Sequence, residues 1–333
     1  MSRFLDSLSI IHRILLALGV VLTGYGLYLA PRSIDPIPDP IPEAVSQNEP
    51  YSKPAVPATI SQTVKRDGLV YEGIFSEALT GKGTITWPNQ QIYRGDVLTG
   101  RPHGKGNMLF ADGRTYTGEL DMGRLQGAGE LHWPDGSFYR GQFHNDVVEG
   151  EGDYTSATGD RFQGQFVAEK PHGRGTLTMS SGNIYMGEVR AGVIEGEGTL
   201  AFVDGSIYQG SFLAGRMHGE GQRTWPSGND YRGRFQNDNF HGHGVASFAN
   251  GISHEGEFAE GKPNGNGKRR WPDGRVYRGY WADGLQHGSG TMTFANGDRY
   301  EGAFKSGRMH GVGRCITGGV QGSCTFFEGE RLD

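Results

Sequence analysis

Two patterns of apolar and polar positions divide this chain. Residues 14–30, ILLALGVVLTGYGLYLA, form an apolar run without a single charge. From Tyr71 onward, apolar and aromatic residues instead alternate with polar ones. Tyr208-Gln-Gly210-Ser-Phe212 puts Tyr, Gly and Phe on one side of a strand, and Gly196-x-Gly198-x-Leu200-x-Phe202 does the same. The first pattern predicts a helix and the second predicts β-strands; no helical periodicity appears after residue 30.

As a helix, the run from Ile14 to Ala30 rises roughly 25 Å, near the lower limit for a bilayer span. A cleaved signal peptide and a buried core helix are the competing readings. A core helix would carry polar positions along one side, where only Thr23 and glycines stand here. Cleavage needs a small-x-small site, and Tyr28-Leu29-Ala30 runs at once into Pro31. The expectation is therefore a single transmembrane helix over 14–30, preceded by a short segment 1–13. Arg3 and Arg13 come before it, whereas Arg32 is followed by Asp35, Asp39, Glu43 and Glu49. That bias places the N-terminus in the cytoplasm and the remainder on the exported side, periplasmic in a bacterium. Residues 31–62 are Pro-rich and read as an extended linker.

The alternating region is a repeat. Aromatic-x-Gly starts fall at Tyr71, Tyr93, Tyr116, Tyr139, Phe162, Tyr185, Tyr208, Tyr231, Tyr277 and Tyr300, with His254 taking the place of the aromatic once. After a first step of 22, every step is 23 residues. A Gly-x-Gly pair follows in each unit, and Trp133-Pro-Asp-Gly136, Trp225-Pro-Ser-Gly228 and Trp271-Pro-Asp-Gly274 carry turn chemistry. A fixed period of this length denotes a stacked array of one supersecondary unit, here a β-hairpin.

Composition narrows the class. The 57 glycines among 333 residues are about 17%, against a usual ~7%, yet aromatics reach 11%, too many for a disordered glycine-rich segment. The net charge of −5 lacks the basic excess of a nucleic-acid binder. The first seventy residues are balanced in charge, so the repeats hold the deficit and are not drawn to an anionic bilayer by charge.

The unit Y-x-G-x-F…H-G-x-G-x-L-x-W-P-D-G closely resembles the MORN repeat (membrane occupation and recognition nexus). YQGSFLAGRMHGEGQRTWPSGND, from Tyr208 to Asp230, is a near-ideal example. The resemblance spans eleven units within residues 63–322, leaving 323–333 as a C-terminal capping segment. Departures are Ser156 in place of an aromatic, His254 in place of Tyr, and Val320 in place of the turn glycine. The resemblance implies an all-β fold of hairpins stacked into an elongated, twisted single sheet. It implies binding or scaffolding, and it carries no catalytic residues, metal site or cofactor to transfer.

Six histidines, His103, His172, His218, His241, His287 and His310, share one register before the Gly-x-Gly pair. Equivalent residues in successive hairpins stand roughly 9–10 Å apart, too far for one zinc ion. No metal or cofactor is expected. The aromatic rows are the candidate binding elements. A single-layer sheet leaves part of a face open, so Phe143, Phe166, Phe212, Phe235, Trp133, Trp225, Trp271 and Trp281 are candidates to line a groove. Core packing is the alternative for each ring.

Two functions follow. One is a membrane-anchored, non-enzymatic interaction scaffold presenting a long β-surface to a partner protein or to another copy of itself. The other is a receptor for lipid headgroups or a cell-wall polymer through the aromatic groove. Cys315 holds the inward position of Leu131, Leu177 and Leu200, so a buried free thiol is one reading. Folding the chain about Gly319-Val320 sets Cys315 opposite Cys324, and a disulfide clipping the array's end is the expectation taken.

Overall fold

The computed structural model describes residues 61–333. The expected helix over 14–30 and nearly all of the linker lie outside the described residues. Among the described residues, no helix is long and apolar enough to cross a membrane. They form one antiparallel sheet of twenty-five strands, numbered here β1 (Gln62–Arg66) to β25 (Glu330–Arg331) in chain order. Every strand between the two ends pairs with its predecessor and its successor in the chain, as β13 (Val193–Ala201), β14 (Ile207–Leu213) and β15 (Arg216–Thr224) do. Each unit contributes a seven-residue strand bearing the Tyr, then a longer partner of nine residues in most units.

The glycines decide how these hairpins stack. They meet directly at each strand interface: Gly198 faces Gly210, Gly210 faces Gly221, and Gly221 faces Gly233. The same pairing runs from Gly73 and Gly83 to Gly290 and Gly302, a continuous stripe across the sheet. The unit's tyrosine lies over this stripe. A Cβ added to Gly118 or to Gly129 would collide with the Tyr116 ring. The ladder slips between Gly118 and Glu119, and there the Tyr116 hydroxyl donates to the Glu119 carbonyl at 2.8 Å. Tyr93 and Asp96 (2.7 Å), Tyr185 and Glu188 (2.8 Å), and Tyr208 and Ser211 (2.9 Å) repeat the arrangement. The hydroxyl satisfies a carbonyl beside the bulge, so a polar tip is buried without an unpaired group.

Phenylalanines complete the core by wedging between tyrosines of neighbouring units. The Phe235 ring stands edge-on to Tyr208 (4.8 Å) and to Tyr231 (5.2 Å). Phe212 does the same between Tyr185 and Tyr208, both at 5.1 Å. Such edge-to-face pairs are each worth about 0.5–1.5 kcal/mol beyond the area they bury. One apolar core runs from Tyr71 to Phe258, and a second runs from Tyr277 to Cys324.

Two kinds of turn close the hairpins. Trp-Pro-x-Gly turns, and turns headed by Phe, Ser or Met in the same place, join units; a two-residue turn with both φ positive, such as Ala214 (49°) and Gly215 (80°), lies within each unit from Tyr93 onward. That geometry matches strand twist and favours Gly or Asn. The turn also straps the array, because the Gly215 amide donates to Ile194 O of the preceding unit at 2.9 Å.

The last hairpin corrects one expectation. It turns at Gly318-Gly319, not Gly319-Val320, because both turn positions have positive φ (54° and 83°) and Val320 begins the next strand. Cys315 therefore faces Gly322, and Cys324 faces Gly313. The two cysteines are diagonal neighbours on one side of the sheet, joined as a disulfide with Cα atoms 5.8 Å apart. Phe326 follows in this strand and covers Tyr300 edge-on at 5.0 Å, taking the place of a next unit's phenylalanine. The strand spans Val320–Phe327, so the expected boundary at 322/323 falls inside it.

Candidate functional site

The eight candidate rings separate into two groups. Phe143, Phe166, Phe212, Phe235 and Trp281 are buried, wedged between the ladder's rings. Trp133, Trp225 and Trp271 stand at the inter-unit turns and are half-buried. Phe202 and Phe294 share their position and their partial exposure, and Phe248 is 42% exposed. The accessible aromatic surface is therefore a row along one edge of the sheet. The face beside it is filled by Tyr, Phe and Leu side chains.

Arg223 and Arg269 belong to this face. Both occupy the column that holds Leu131, Leu177 and Leu200 elsewhere: Arg223 faces Tyr208 and Tyr231, and Arg269 faces His254 and Tyr277. The Arg223 guanidinium lies over Phe202 (4.3 Å) and Trp225 (4.8 Å), and its Nη2 donates to Ser206 Oγ at 3.0 Å. Arg269 lies over Trp281 at 4.2 Å. Burial lowers the pKa of both guanidinium groups. The signal was their register, fifteen residues after Tyr208 and His254.

His254 is only 1% exposed, and neither ring nitrogen has a hydrogen-bond partner. Burial, and then the charge of Arg269, lowers its pKa to about 4. It is neutral at physiological pH. Trp281 stands edge-on to it at 4.8 Å and supplies the ring volume that imidazole lacks relative to tyrosine.

The opposite face is charged and mixed. Lys82 pairs with Asp96 at 3.1 Å, Arg140 with Glu130 at 2.6 Å, and Arg161 with Asp153. Hydrogen bonds from His132 and then Arg140 lower the Glu130 pKa, and Arg161 lowers that of Asp153. Further along the same face lies an apolar strip, with the Arg174–Glu188 and Arg190–Glu195 pairs beside it. Ile184, Ala201 and Ile207 are cross-strand neighbours in one row, flanked by Met186 (51% exposed).

A cleft of about 480 Å³ opens at the C-terminal end of the aromatic row. Phe294, Tyr300, Phe326 and Cys315 line it, and the turn residues Asp273, Arg275, Asn296 and Asp298 surround them.

Comparison with known proteins agrees with the repeat. The family described as MORN repeat matches eleven consecutive segments: 71–92, 93–113, 116–138, 139–161, 162–184, 185–207, 208–230, 231–253, 254–274, 277–299 and 300–318. No curated protein matches the chain. Among solved structures, it is similar to the TCP domain of SAS-4 of Drosophila melanogaster in complex with a proline-rich motif of Ana2. That match is 12% identical, covers 56% of this chain and 96% of that one, and has a TM-score of 0.30. Selenomethionine-substituted virginiamycin B lyase from Staphylococcus aureus is 11% identical over 80% of this chain and 85% of its own, with a TM-score of 0.13. TM-scores this low carry no argument about function.

Proposed function

We propose that this chain, which belongs to the MORN repeat family, is a membrane-anchored interaction scaffold without chemistry of its own. The apolar run over residues 14–30 anchors it, with the N-terminus in the cytoplasm. The Pro-rich linker carries the repeats away from the bilayer on the exported side, where they meet a partner protein or a second copy.

One observation supports the reading above others: the apolar strip of Ile184, Met186 and Ile207 on a face that is largely charged and polar. These side chains add nothing to the Tyr–Phe core, which lies on the other side of the sheet. Exposed apolar residues grouped among polar ones mark a protein contact, and the ion pairs around them supply a polar rim.

Capture of the full-length chain from native membranes, with mass spectrometry of what it retains, tests this. A partner retained by the wild type and lost from Met186→Glu/Ile207→Glu supports the reading. Identical retention by both proteins refutes the surface. Protease added to spheroplasts reaches the repeats if the topology is right, and full protection overturns it.

A further inference from the structure

The C-terminal cleft has an apolar floor and a polar rim, the general form of a small-ligand site. Its floor is the half-buried Phe294 ring, with Tyr300 and Phe326 beneath the disulfide-clipped hairpin. The arginines around it are already paired. Arg275 pairs with Asp273 at 2.7 Å, Arg299 with Glu301 at 3.0 Å, and Arg331 with Asp333 at 3.4 Å. Asp298 accepts hydrogen bonds from Asn296 Nδ2 (2.8 Å) and the Gly318 amide (2.9 Å). An anionic ligand finds no unpaired guanidinium, meets the Asp298 carboxylate, which only neutral donors satisfy, and would have to break these pairs. A neutral ligand does not, and the same carboxylates, amide and guanidinium groups retain lone pairs and N–H groups facing the cleft's solvent. Charge therefore turns away an anion and admits a neutral molecule rich in hydroxyls, and the aromatic floor selects one with a flat apolar face.

The surroundings extend the site in one direction. Trp225, Phe248, Trp271 and Phe294 occupy equivalent turns of successive units and are all at least partly exposed. Equivalent positions advance by two strand spacings, ~10 Å per unit, which is about the length of one disaccharide in a β-1,4-linked glycan. In such a flat ribbon every second sugar ring presents the same face, and sugar C–H groups stack on aromatic rings.

We infer that the cleft and the aromatic row leading into it bind a neutral β-1,4-linked oligosaccharide, with one sugar seated on Phe294 and rimmed by Asn296 and Asp298. This rests on the polymer-receptor alternative, and it neither needs nor excludes a protein partner on the opposite face.

The test is calorimetric titration of the full-length chain, held in a detergent without a sugar headgroup, with cellotetraose, chitotetraose, maltotetraose and tetragalacturonate. Saturable binding of cellotetraose or chitotetraose is expected, weakened at least tenfold by Phe294→Ala and by Asn296→Ala. Asn296 is exposed, so its variant keeps the fold even if Phe294→Ala does not. No binding of either β-linked tetrasaccharide at millimolar concentration overturns the inference. So does affinity unchanged in Asn296→Ala, or maltotetraose or tetragalacturonate bound as tightly as the β-linked neutral chains. Failure of the membrane capture experiment would leave these titrations unchanged, so the two readings fail separately.

Discussion

His254 and Arg269 face each other directly across neighbouring strands on the inner side of the sheet, and among the described residues no acidic side chain pairs with either. They stand where most other units have tyrosine and an apolar residue, between the two apolar cores. Buried nitrogens of Arg269, Trp281 and Gln286 are also unpartnered there. Unpaired buried polar groups cost stability, so this joint is expected to be a weak point of the ladder.

Acid should therefore act on the joint first. The His254 pKa is held at about 4, below its ordinary value of about 6.5, so the unfolded chain binds the proton more readily than the folded one. Stability from this residue is present above pH 6.5 and is lost as pH falls toward 4. Thermal melts across that window should show a decline that His254→Tyr largely removes. Equal pH dependence in both proteins would refute it.

Alkali acts on the tyrosines. Burial raises the pKa of Tyr93, Tyr139 and Tyr277 to about 12, above their ordinary value near 10. The folded state keeps these phenols protonated when the unfolded state does not, so stability is lost as pH rises from 10 through 12. Phenolate absorbance should appear together with loss of β-sheet circular dichroism. Ionisation of all the tyrosines well before unfolding would contradict the buried ladder.

The glycine stripe is a steric requirement. Gly129→Ala drives a methyl group into the Tyr116 ring and should cost about 2–3 kcal/mol. Gly322→Ala, with nothing within 4 Å of the new carbon, should change stability by roughly 0.5 kcal/mol or less. Denaturant titration of the two variants separates them.

One turn has the wrong residues for its backbone. Ala168 and Glu169 hold φ values of 48° and 67°, where most units place a glycine second and two use Asn-Asp. Glu169→Gly should stabilise the protein by roughly 1 kcal/mol through relief of that left-handed conformation. An unchanged or lowered denaturation midpoint would count against it.

Reduction of the Cys315–Cys324 bridge should loosen the end alone. Repeat arrays couple chiefly to nearest neighbours. Loss of the clip should cost about 2 kcal/mol locally, seen as faster amide exchange in Val320–Phe327 with little change around Tyr208. Uniform acceleration along the array would refute this confinement.

The unit was legible from residue order alone, because a strand's side chains alternate and a hairpin needs only its own turn. Spacing from Tyr71 to Tyr300 settled strand, turn and period, and the Cys315–Cys324 proximity followed from the same local folding, two residues out of register. Stacking was another matter. Whether Phe235 is a binding surface or core depends on Tyr208 and Tyr231 closing over it from two different units. Its local pattern is the same in either case. Arg223 and Arg269 read in isolation as solvated charges, and only the cross-strand register turns them onto the aromatic side. The C-terminal cleft exists because two inter-unit turns and the final hairpin converge on Phe294. Local periodicity specifies which way a side chain points, but burial and shared space depend on what the next repeat lays across it.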